Sequence, residues 1–336
     1  ISDPTNIVAK DDQTDGGTFP RLDGARNVAT YAITAGTESA LSLTSKNYAI
    51  VAGFADNGLQ IIDIGIPTAI TAKDSEVDGV NGFDKIEGVY GIATFGMHSN
   101  STYRGAVVTS NTDDSVIAVD ITNPTAIFEH DVEIDEGTDS NGDTFTELEG
   151  ARGVATWNST SNTYAIVVSQ TDDGVQIIDI NDPSDILAKD AETDGVNGFT
   201  ELNGANGVAI WNGSKTTTYA IVASIDDDGV QIIDISDPTN IIALDAETDG
   251  SNGFTELDGA ASVDTFTCGN RTYAIVVSNI DDGIQLIDVT SPSNIVAIDA
   301  ETDGSNGFTE LDAPRGVATF TIGTSIYAIV TSLSDD

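Results

Sequence analysis

The sequence predicts an all-β chain built as six like blades, and three observations carry that prediction. A YAIVV motif or a close variant begins at Tyr48, Tyr164, Tyr219, Tyr273 and Tyr327, with GAVVTS from Gly105 filling the gap, so the chain repeats at roughly 54–59 residues. Each repeat holds four short segments rich in Val, Ile, Thr and Tyr, which suit a pleated, half-buried surface. Asp-Gly and Asp-Pro pairs separate the segments as in strands joined by tight hairpins, and no stretch keeps a helical period.

The elements follow in order. First strands are expected at 27–31, 90–95, 153–157, 207–211, 262–266 and 316–320. A polar loop leads to the YAIVV strand, a DDG turn to a GVQIID strand, and a DP turn to a fourth strand such as NIVAID. Four antiparallel strands repeated six times describe a six-bladed β-propeller, with residues 1–336 forming one domain. ISDPTN at 1–6 matches 235–240, and the chain stops at LSDD, where a DDGVQIID strand is due. The closing blade is therefore expected to be split between the N- and C-termini and to lack one strand, with residues 7–11 as its outer strand. Such an open edge invites β-augmentation, so self-association or pairing with other surface proteins is expected. A start at Ile1, inside a repeat, also suggests a removed leader or a longer precursor.

The combination of GVAxW, YAIVVS and DDGVQIIDISDPTN resembles the LVIVD-repeat β-propellers of bacterial and archaeal cell surfaces, and the resemblance covers nearly the whole chain. It implies the propeller fold and an extracellular or cell-surface location, and it implies no particular activity.

Charge narrows the partners. Twelve Lys and Arg stand against 55 Asp and Glu, a formal net charge of −43. A field of that sign repels nucleic acid and anionic membranes, draws in cations and raises solubility. No apolar run is long enough for a membrane span, and the single cysteine, Cys268, excludes an intrachain disulfide.

An acidic insertion after the fourth strand supplies the candidate metal sites. It reads DAETDGVNGFTE from Asp190 and DAETDGSNGFTE from Asp245 and Asp299. Oxygen donors at positions 1, 3, 5 and 12 with Gly at 6 have the spacing of an EF-hand calcium loop, in which alternating carboxylates curl round a hard cation and the glycine permits the turn. The expected calcium ligands are Asp190, Glu192, Asp194 and Glu201; Asp245, Glu247, Asp249 and Glu256; and Asp299, Glu301, Asp303 and Glu310. Glu at position 3 and Asn at position 8 depart from the usual pattern. The copy from Asp74 carries Lys85 at position 12, and the copy from Asp11, one residue shorter, carries Arg21 in the corresponding place, where a cation would neutralise the loop without metal. The copy from Asp131 is longer and more acidic. The competing reading is that these are solvated acidic turns.

Asn-x-Ser/Thr triplets at Asn100, Asn158, Asn212 and Asn270 all fall between the first and second strands of a repeat, where N-glycans would be tolerated. Catalytic material is sparse. His98 and His130 are the only histidines and sit at different positions of their repeats, and carboxylates repeated in every unit suit a shared structural task better than one active site. The chain is therefore expected to be a non-enzymatic extracellular building block of a surface layer or filament, with calcium-stabilised loops. The alternative is a secreted adhesion or ligand-binding module, and the third option a propeller hydrolase or lyase.

Overall fold

The computed structural model describes residues 7–33, 46–97, 100, 102–213 and 216–334. Among them there is no helix, and so none long and apolar enough to cross a membrane. Strands β1 (Ala25–Ile33), β2 (Lys46–Gly53), β3 (Gly58–Asp63) and β4 (Thr71–Val77) make the first sheet. The second is β5 (Val89–Phe95), β6 (Gly105–Ser110), β7 (Ser115–Asp120) and β8 (Phe128–Ile134), and the third β9 (Ala151–Asn158), β10 (Thr163–Ser169), β11 (Gly174–Asp179) and β12 (Leu187–Thr193). The fourth is β13 (Ala205–Asn212), β14 (Thr218–Ser224), β15 (Gly229–Asp234) and β16 (Ile242–Thr248). The fifth is β17 (Ala260–Cys268), β18 (Arg271–Ser278), β19 (Gly283–Asp288) and β20 (Val296–Thr302), and β21 (Pro314–Ile322) with β22 (Ser325–Ser332) forms a two-stranded sixth. Strand order within each sheet follows the chain, and the pairing is antiparallel, as in a six-bladed β-propeller.

The chain divides into two compact units. One runs to Val167 and includes Ile177–Lys189; the other holds Val168–Gln176 and continues from Asp190. In the first unit, β1 lies beside β5 and β5 beside β9; in the second, β13 lies beside β17 and β17 beside β21. The central strands are the most buried because they are covered on both faces: every residue of β6 is buried. Successive sheets pack face to face over Ile50, Ile61, Val108 and Ile117 in one unit and over Ile221, Ile232, Val276 and Ile287 in the other.

Two expectations need correction. Residues 7–11 form no strand. An outer strand pairs only with a third strand, and none lies beside these residues among the described ones. The fourth strand also extends further than its hydrophobic pattern, because β12, β16 and β20 take in the first four residues of the acidic segment. Ladder pairing explains this: Gly229 is matched to Thr248 and Gly283 to Thr302, so the full length of the third strand recruits Asp and Glu despite their poor strand propensity.

Candidate functional site: the acidic loops

Strand β12 places Asp190 and Glu192 on a ladder, and the loop proper begins at Asp194. Its amide donates to Asp173 O at 2.8 Å, Gly195 N donates to Phe199 O at 2.8 Å, and Phe199 N to Val196 O at 2.9 Å. The turn needs positive φ at Gly195 (75°), Asn197 (51°) and Gly198 (91°). A Cβ on Gly195 would meet nothing, so this glycine is required for its backbone conformation and not for space. Phe199, 1% exposed, drives the loop into the core, as Phe145 and Phe254 do in their repeats. The sequence reading missed this aromatic anchor; its signal was the Phe of the NGF triplets that begin at Asn81, Asn197, Asn252 and Asn306.

The first three expected ligand positions are occupied by structural tasks. Asp190 Oδ2 accepts from Ile241 N at 2.7 Å, and Asp245 Oδ2 accepts from Ile295 N at 2.7 Å, each tying a fourth strand to the proline-containing turn of the next repeat. Asp299, with no such partner among the described residues, accepts from Ala300 N. Glu192 is chelated by Asn197, whose Nδ2 donates to both its oxygens at 3.0 and 2.9 Å, and Glu247 with Asn252 and Glu301 with Asn306 repeat the arrangement. The two departures from the EF-hand pattern, Glu at position 3 and Asn at position 8, thus satisfy each other. Asp194, Asp249 and Asp303 each spend one oxygen on a loop amide, those of Leu202, Leu257 and Leu311. The four expected ligands are therefore not gathered round one centre, because half of them lie on an extended strand. Among the described residues no three His, Cys, Asp or Glu side chains are already grouped as a metal cage.

What the fold does bring together is positions 5 and 12 with the DDG hairpin of the next repeat. The Glu201 carboxyl is pushed up to about 7, first by burial and then by Asp227, Asp194, Asp228 and Glu247. Glu256 reaches about 7 in the same way, by burial and then Asp281, Asp249, Asp282 and Glu301. In both, Oε2 is buried without a hydrogen-bond partner. Each carboxylate packs against a hairpin glycine, Gly229 or Gly283, where a Cβ would collide with it. The hairpin aspartates are fixed by backbone amides: Asp227 Oδ2 accepts from Asn203 N at 2.8 Å and Asp228 Oδ1 from Gly259 N at 2.9 Å, with Asp281 and Asp282 held alike. Glu310 stands exposed, and the residues equivalent to Asp227 and Asp228, Asp335 and Asp336, lie outside the described residues.

The repeats with a cation at position 12 show what this place accommodates. Lys85 Nζ lies 3.8 Å from Asp113 Oδ1, the counterpart of Asp227. The Arg21 side chain lies against Gly58 just as Glu201 lies against Gly229.

Elsewhere, Asn100, Asn158, Asn212 and Asn270 are all exposed between first and second strands. Thr102 donates to Asn100 Oδ1, Thr163 to Asn158 Oδ1 and Thr218 to Asn212 Oδ1. His130 lies 3.5 Å from Asp120 with its ring against Phe128, a packed strand residue; His98 lies outside the described residues.

No protein-family model and no curated protein matches this chain, so the LVIVD-repeat resemblance stands on its motifs. Solved structures match it over most of its length. They include the periplasmic gluconolactonase of Pseudomonas aeruginosa (TM-score 0.54, 9% identity, 87% of this chain and 88% of that one). Another is a protein of Bacteroides uniformis assigned as a 6-phosphogluconolactonase (0.53, 11%, 84% and 71%). A third is the fungal lectin of Aleuria aurantia, a six-bladed propeller that recognises fucose (0.53, 9%, 91% and 87%). Identity this low establishes the fold alone. Neighbours named as lactonases and a sugar-binding lectin overturn the expectation of a filament or surface-layer subunit.

Proposed function

We propose that this chain is a non-catalytic, extracellular ligand-binding propeller whose acidic loops are held by calcium. The observation that carries the calcium is the exchange at position 12. Where Lys85 puts an ammonium beside Asp113, Glu201 and Glu256 put a carboxylate beside Asp227 and Asp281. A hard cation ligated by oxygen restores the balance, and the orphaned Oε2 atoms of Glu201 and Glu256 fit that role. Asp194, Glu201, Asp227 and Asp228 would hold one ion; Asp249, Glu256, Asp281 and Asp282 a second. The sites differ from the EF-hand reading in drawing ligands from two successive repeats. Calcium there clamps each loop to the next hairpin.

Exposed Asn100, Asn158, Asn212 and Asn270 suit N-glycans, and the LVIVD-type motifs suit a surface location. Thermal unfolding with EDTA, calcium or magnesium tests the reading. Calcium at a hundredfold its Kd adds about 2.7 kcal/mol per site, enough to raise Tm by several degrees. A melting curve identical in EDTA and calcium removes the structural metal.

A further inference from the structure

First strands β1, β5, β13, β17 and β21 each begin at an irregularity, and the residue there changes from repeat to repeat. The pairing of β1 with β2 slips between Ala25 and Asn27, and that of β5 with β6 between Val89 and Ile92, which puts Arg26 and Tyr90 at the slips. The equivalent residue of β9 is Arg152. A bulge leaves a residue without a ladder partner and re-aims its side chain. Strands β1, β5 and β9 are stitched in sequence, since Thr94 Oγ1 donates to Thr30 O at 3.1 Å and Thr156 Oγ1 to Thr94 O at 3.1 Å. The side chains of Arg26, Tyr90 and Arg152 meet. Arg26 Cζ lies 4.8 Å from the Phe54 ring centroid and 5.6 Å from that of Tyr90, and Arg152 Cζ lies 5.0 Å from the same Tyr90 centroid.

Two guanidinium groups on one tyrosine are conspicuous in a chain of net charge −43. Lys46, Lys73, Lys85, Lys189 and Arg271 each face a carboxylate, Arg271 at 2.6 Å from Asp288. Arg26 is exposed and makes no ion pair among the described residues, although 55 acidic residues are available. Stacking on an aromatic ring holds the Arg26 guanidinium by its plane and leaves the N–H donors on its edge free to bind an oxyanion as a fork.

We infer that Arg26, Tyr90 and Arg152 form a binding site for a small organic carboxylate, the ligand class for the binding function proposed above, on which this inference rests. Bidentate N–H donation matches carboxylate geometry. Phosphate offers similar oxygens, but the long-range field of the chain repels a dianion twice as strongly as a monoanion. Screening by salt weakens that repulsion more than it weakens the contact itself, so binding survives high ionic strength.

The test is calorimetric titration at high salt with glucuronate, its neutral isostere glucuronamide, and inorganic phosphate, each in calcium and again in EDTA. Glucuronate is expected to bind in both, with glucuronamide and phosphate weaker by about tenfold or more. Arg26→Gln is expected to lose about tenfold in glucuronate affinity, and Arg26→Lys, which keeps the charge without the fork, to lose part of it. Equal binding of glucuronate and glucuronamide overturns the carboxylate site while leaving a ligand-binding propeller standing. Glucuronate binding that vanishes in EDTA and ignores both Arg26 variants overturns it in favour of a metal-bridged ligand. Failure of every probe overturns it too, and a panel of neutral sugars then tests the binding function by itself.

Discussion

Replacing Glu201 and Glu256 together by lysine should free the chain from calcium. The change transplants into the fourth and fifth repeats the arrangement that Lys85 and Asp113 already form in the second. Its magnitude follows from that natural pair. Lys85 and Asp113 lie 3.8 Å apart with side chains 43% and 16% exposed, so solvent screens them and the pair contributes about 0.5–1 kcal/mol. Removing a like-charge contact of similar size adds a comparable amount, giving about 1–2 kcal/mol per site without metal. Both sites lie in one unit, whose Tm should move by about 2–4 °C per kcal/mol. The double variant in EDTA at pH 8 is thus expected to melt about 4–16 °C above the wild type in EDTA, and to ignore added calcium. Differential scanning calorimetry reads both outcomes. A double variant that melts below the wild type in EDTA, or keeps its calcium response, would refute the claim that position 12 faces a place requiring positive charge.

Two further expectations concern other parts of the molecule. Glu129 and Glu133, both on β8 but on opposite faces of it because the strand bulges at His130, are each pushed up to about 7, first by burial and then by neighbouring aspartates, Asp84 and Asp131 around Glu129 and Asp131 and Asp139 around Glu133. A raised carboxyl pKa gives stability that is fully present below the unfolded value of 4.5 and lost as pH rises through about 7. Glu129→Gln with Glu133→Gln should therefore flatten the fall in urea midpoint between about pH 5 and pH 8, measured in EDTA; an unchanged slope contradicts the assignment. Phe199→Ala should cost about 3–5 kcal/mol in urea unfolding because Phe199 is fully buried. Phe308→Ala, at the same motif position but 37% exposed, should cost well under half as much, and equal losses would show that burial does not set the value of this anchor.

Much of the fold was readable because it repeats. A strand pattern seen once is ambiguous, but Tyr48, Tyr164, Tyr219, Tyr273 and Tyr327 all lie at the second or third residue of a second strand, as their motif required. The hairpin Asp-Gly turns were equally legible, since Asp173, Asp228 and Asp282 adopt φ values of 54–57° that few other residues tolerate. Legibility ended where a local pattern met a non-local ladder. The spacing of Asp190, Glu192, Asp194 and Glu201 is that of an EF-hand loop, but pairing with the preceding strand of the same sheet stretches the first half of it.

The six repeats, their four strands, the turn glycines and the excess of negative charge were set by the sequence alone, because each depends on residues close together in the chain. Tertiary structure decided which carboxylates face one another. Glu201 meets Asp227 and Asp228 from the following repeat, while Asp190 and Glu192 turn to a distant amide and to Asn197. It also decided that Arg26, Tyr90 and Arg152, far apart in sequence, share one aromatic surface. Contacts of that kind are fixed by sheet stacking and by bulges at the strand starts, and no spacing along the chain encodes them.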